Sequence, residues 1–120
     1  IKSSWSIDGG IEAGRGLAKK GKCKYDGLYC LNDGIALGIL RGLADDGVSV
    51  PGDVRVIGFD GLSQSMYSVP TLTTRGHRFQ GHGGYRADLA YAAYREPGRR
   101  VLPADRDVGY KLIERESTAA

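Results

Sequence analysis

No stretch of this 120-residue chain approaches the roughly 20 consecutive apolar residues of a membrane span, and no signal-peptide pattern opens it. A membrane protein is therefore not expected, and a soluble, cytoplasmic one is. Cysteine is scarce: Cys23 and Cys30 form no CxxC pair, and no histidine lies nearby to complete a metal site. Nothing resembles a disulfide framework, and Cys30, inside an apolar run, is expected to be a small buried hydrophobe. GxSxG and the P-loop are missing too, since "GRGLAKKGK" has neither the glycine spacing nor the Lys-Ser/Thr of a phosphate cradle. Hydrolytic chemistry finds little support, so the chain reads as a binding module, not an enzyme, with no cofactor expected.

Charge of one sign is also lacking. The net charge is +3 and the basic residues are scattered. Lys19, Lys20, Lys22 and Lys24 are expected to close a helix, favouring its negative end; a nucleic-acid contact is the weaker alternative. His77 and His82 stand five apart, which is poor spacing for one metal face, and both read as surface residues. Methionine occurs once, at Met66, and the first residue is Ile1, so the chain is expected to be part of a longer protein.

What is present suffices for one domain, because 120 residues at 41% hydrophobic can bury a core. Asp8, the apolar Ile11, Leu17 and Ala18, and the closing Lys19-Lys20-Gly21 predict a helix with its cap and terminal glycine. "YDGLYCL" reads as a short buried strand. Ile35, Ala36, Ile39, Leu40, Leu43 and Ala44 form the stripe of a second helix stopped at Gly47. "VRVIGFD" predicts a second buried strand, "TLTT" a weaker third, "ADLAYAAYR" from Ala87 a further helix, and "VGYKLIE" a last strand. Alternating strands and helices imply an α/β domain with a parallel sheet.

A ligand site in such a sheet lies beyond the carboxyl ends of its strands. That rule selects Asn32-Asp33, Asp60, and the run from Thr73-Thr74 to His77, with Trp5 at the same edge if Ile1 to Ser4 finish a strand. Asp33 is expected to cap the second helix. Asn32, a donor and acceptor at once, either fixes a loop or meets a hydroxyl-rich ligand. Asp60 either closes an Asx-type turn or takes two hydroxyls of one sugar. Trp5 and Phe79 are either core residues or flat faces for a sugar or purine ring.

The runs "YCLNDGIALGILRGLADDGVSVPGDVRVIGFDG", "PTLTT" and "LIERESTA" together closely resemble the effector-binding core of the LacI/GalR family of bacterial transcription regulators. The resemblance implies a periplasmic-binding-protein-like type I fold, of which residues 1–120 would be the C-terminal part of the effector-binding domain. A helix near 79–96 would pack on a missing N-terminal subdomain. Also implied is a small effector, often a sugar or nucleobase, whose binding modulates contact with operator DNA through a missing helix-turn-helix. On the same likeness Trp5, Asn32, Asp60, His77 and Phe79 fall at ligand positions, and Leu37 and Tyr67 on the face of a homodimer. Gly61 replaces a second acid that the family often carries. A periplasmic sugar-binding protein of a transport system is the alternative.

Overall fold

The computed structural model describes residues 4–77 and 110–119. Helix α1, Ile7–Leu17, begins at Ser6, whose Oγ accepts the Gly9 N–H at 3.1 Å. Ser6, not Asp8, is therefore the cap; Asp8 lies in the first turn, where a carboxylate suits the helix dipole. The lysines do not close this helix. Ala18–Lys19 (β1) and Lys22–Cys23 (β2) pair antiparallel across Lys20-Gly21, both at positive φ (52° and 72°). That backbone makes the two-residue hairpin turn that glycine favours at its second position, and it uses Gly21 as a turn residue instead of a helix terminus.

A four-stranded sheet follows in the order β3-β4-β5-β6, with β3 Gly27–Tyr29, β4 Arg55–Asp60, β5 Thr73–His77 and β6 Tyr110–Ile113. The first three strands run parallel, as expected. The last is antiparallel to β5, so the sheet is mixed. Nor is β3 buried: it forms the edge of the described sheet, and Tyr29 and Leu31 are exposed. Cys30, one residue past the strand, is the buried member of that run. Its burial, and secondarily the negative charge of Asp33, push the thiol up to about 11, so it stays neutral.

Helix α2, Asp33–Asp45, connects β3 to β4 and lays Ile35, Ala36, Ile39, Leu40 and Leu43 into the core, with Ala44 at the surface. Val54, Val56 and Leu72 meet it from the sheet side. Gly47, at φ 74°, lies just past the helix as its stop signal implied.

Helices α1 and α2 interlock through glycines four residues apart on each. A Cβ on Gly10 would strike the Ile35 carbonyl, and one on Gly14 would lie 2.6 Å from the Ile39 carbonyl oxygen; Gly38 and Gly42 stand equally close to the Ile7 and Ile11 carbonyls. These contacts advance together along both helices, which therefore run in the same direction. Their N-terminal ends lie side by side.

The final turn locks the sheet from below. Ser117 is fully buried; its hydroxyl donates to the Val56 carbonyl at 2.6 Å and accepts the Thr73 N–H at 2.8 Å, bridging β4 and β5. Arg115 donates through its side chain to the Leu72 carbonyl, and the Thr73 hydroxyl takes the Arg115 N–H at 2.8 Å. "REST" is thus a clasp across the lower ends of two strands.

Candidate functional site at the carboxyl ends of the strands

Register brings the selected residues to one edge. Tyr29 pairs with Ile57; Asn32 and Asp60 each lie three residues beyond that pair. Asp60 in turn pairs with Gly76, and His77 ends β5 beside it. Trp5 stands just before the cap of α1, whose N-terminal end lies beside that of α2, and its side chain is 74% exposed. Trp5 therefore lies outside the core of the described residues. Phe79 and the helix expected from Ala87 lie outside the described residues, as do Ile1 to Ser3.

At the Asn32-Asp33 junction the cap is not the expected Asp33. Asn32 is the cap of α2: its Oδ1 accepts the Ile35 N–H at 2.7 Å. This does not remove Asn32 from the edge, because capping uses only the oxygen and leaves the amide NH2 as a second, chemically distinct handle.

Asp33 is 0% exposed and reaches away from its own helix. Its Oδ2 accepts from the Leu62 N–H at 2.8 Å and the Ser65 hydroxyl at 2.7 Å, and its Oδ1 accepts from the Thr74 hydroxyl at 2.5 Å. A side chain on Gly58 would occupy the position of the carboxylate, which explains a glycine in the middle of β4. Three donors and the N-terminal end of α2 offset the desolvation of this buried charge. Residue spacing could not reveal the network, since its partners come from 29 to 41 positions downstream.

Asp60 adopts φ 128°, a conformation that side-chain-bearing residues rarely take, and Gly61 follows at φ 72°. Gly61 also faces Gly76 across the strand ends: a Cβ on Gly61 would lie 2.9 Å from the Gly76 Cα. An acid at position 61 would therefore meet both an unfavourable backbone and a neighbouring main chain. The Gly61 N–H donates to the Thr74 Oγ1 at 3.2 Å. Among the described residues no cluster of histidine, cysteine or acidic groups could hold a metal ion, and no helix is long and apolar enough to cross a membrane.

A periplasmic-binding-protein-like domain family matches residues 3–118. The transcriptional repressor PurR of Vibrio parahaemolyticus is 33% identical over 79 residues, 62% of this chain and 24% of that protein. The regulator GalR of Salmonella typhimurium is 42% identical over 66 residues, 55% of this chain and 19% of that protein. Among solved structures, a LacI family regulator from Enterococcus faecium with bound ribose superposes with a TM-score of 0.79 at 28% identity, covering 99% of this chain and 42% of its own. A LacI family regulator from Arthrobacter in complex with lactose superposes at 0.76 with 27% identity, covering 99% of this chain and 44% of its own. The chain thus spans less than half the length of each of these relatives. With the motifs, the parallel strands and the fold in agreement, the chain belongs to the periplasmic-binding-protein-like domain family and is similar in fold to the corresponding part of LacI family regulators.

Proposed function

We propose that these residues form one wall of a sugar-binding cleft and a dimerisation face in a cytoplasmic regulator whose hold on operator DNA changes when the sugar binds. One observation carries the reading: Asn32, Asp60 and His77 arrive together at the carboxyl edge of three parallel strands, with the exposed ring of Trp5 at the neighbouring helix end. Asn32 supplies an amide donor, Asp60 an acceptor for paired hydroxyls, and Trp5 a flat apolar face. His77 ends β5, and the family resemblance adds Phe79. Ribose and lactose in the related structures support a sugar over a nucleobase. The regulators among the relatives likewise support this reading over a transporter's binding protein or an enzyme.

Since a ligand that binds only the native state raises its melting temperature, a panel of sugars and nucleobases added to the full-length regulator should contain at least one sugar that does so. Asp60→Ala should then weaken that sugar by about 1–3 kcal/mol, the loss of a buried polar contact. A panel with nucleobase hits and no sugar hits, or unchanged calorimetric affinity in Asp60→Ala, would count against the assignment.

A further inference from the structure

We infer that Asp33 is a positioning residue: buried behind the sheet edge, it holds the backbone of Asp60 in the conformation from which Asp60 meets its ligand. The functional half of this inference rests on Asp60 being an effector contact; the mechanical half does not. The two N–H groups that follow Asp60 are both tied to this carboxylate. Leu62 N–H donates to it directly at 2.8 Å, and Gly61 N–H is held by the Thr74 hydroxyl, which itself donates to Asp33. The Ser65 hydroxyl adds a third donor, and the Ser65 carbonyl accepts the Leu72 N–H at 2.8 Å, anchoring the turn to the chain leading into β5. Asp60 stands at the entrance to this clamped turn at φ 128°, which the surroundings must impose because the residue would not choose it.

The chemistry of the clamp is specific to a carboxylate. Asp33 is surrounded by donors and needs acceptors on both oxygens. An asparagine of the same shape has one acceptor. Turned to satisfy Leu62 N–H, its NH2 would point at Thr74 Oγ1, so the Thr74 O–H would lose its acceptor and have to rotate, turning the lone pair that receives the Gly61 N–H. The tie to the residue directly after Asp60 would loosen while the packing volume stayed the same.

The test compares Asp60→Gly with Asp60→Ala in the full-length regulator, because both lose the carboxylate and differ in tolerance of positive φ. In the wild-type background Asp60→Gly should melt at a higher temperature than Asp60→Ala. Combined with Asp33→Asn, that margin should shrink toward zero, since a relaxed backbone no longer favours glycine. Thr74→Val removes the same link and carries the comparison should Asp33→Asn fail to fold. An unchanged margin in these backgrounds, which is what a merely structural role gives, overturns the inference.

Calorimetric titration with ribose, and separately with lactose, reads the functional half. Either sugar that binds should bind roughly tenfold more weakly to Asp33→Asn, with no further loss when Asp60 is already alanine. Losses that simply add would place Asp33 outside the line to Asp60. Binding of neither sugar by the wild type would count against the ligand reading, while the melting margins would still decide the role of Asp33.

Discussion

Asn32 occupies an extended backbone position with φ −152° and ψ 165°, the geometry from which a short side chain reaches the third N–H of the following helix. Asp33 is helical at its first position, so its side chain emerges one step around and finds Leu62, Ser65 and Thr74 instead. The composition of the pair was legible as "cap plus something else", but which residue capped depended on where the helix began, one residue earlier than expected. The consequence can be measured. Asn32→Asp keeps the capping oxygen and adds charge at the favourable end of the dipole, so the melting temperature of the full-length protein should hold or rise slightly. The same change deletes the amide donor, and affinity for the sugar should fall by about 1–3 kcal/mol. Lost stability with intact affinity would make Asn32 a cap and nothing more.

Helices α1 and α2 were legible from their apolar stripes; their close approach was not read from them, although the signal was present as Gly10 and Gly14 in one and Gly38 and Gly42 in the other. Spacing of four puts small residues on one face of a helix, but only the tertiary structure decides whether that face meets a neighbour. Two glycines of α1 separate the cases. Gly14→Ala would drive a Cβ to 2.6 Å from the Ile39 carbonyl oxygen and 3.0 Å from the Gly42 Cα, backbone atoms that cannot turn aside. It should destabilise the protein by about 1–3 kcal/mol, overriding alanine's helix preference. Gly16→Ala meets nothing within 4 Å and should stabilise by about 0.5–1 kcal/mol. Denaturant titrations of the two variants check the sign, and equal effects would refute the interlock.

On the scale of the whole molecule, the surface away from the strand ends carries apolar residues that lie outside the core of the described residues. Tyr67 is 78% and Val69 92% exposed. Val69 and Ser68 join Leu37, Leu40 and Arg41 around a surface depression of about 550 Å³. Leu37 is half-buried, touching the core cluster at its margin and open to solvent on its other side. These features favour the proposed homodimer, whose interface would be continuous across α2 and the turn after β4. Leu37→Glu places a charge in the middle of that patch and should shift the full-length protein from dimer to monomer in sedimentation velocity, at little cost to the fold of each subunit. A dimer that persists at micromolar concentration would move the interface elsewhere.

Local chemistry made several things readable in advance: the existence of α1, α2 and the strand at 55–60, a weaker third strand at "TLTT" that the fold places two residues later at 73–77, and the gathering of Asn32, Asp60 and His77 at one edge. Each follows from periodicity, chain direction or side-chain type, which act over a few residues. Distant pairing decided the rest. The edge position of β3, the reversed direction of β6, the clasp made by Ser117, the burial of Asp33 and the φ of Asp60 all depend on residues far apart in sequence and adjacent in space. A carboxylate looks the same in a string of letters whether water or three donors surround it; only the fold determines which, and that set the separate roles of Asn32 and Asp33.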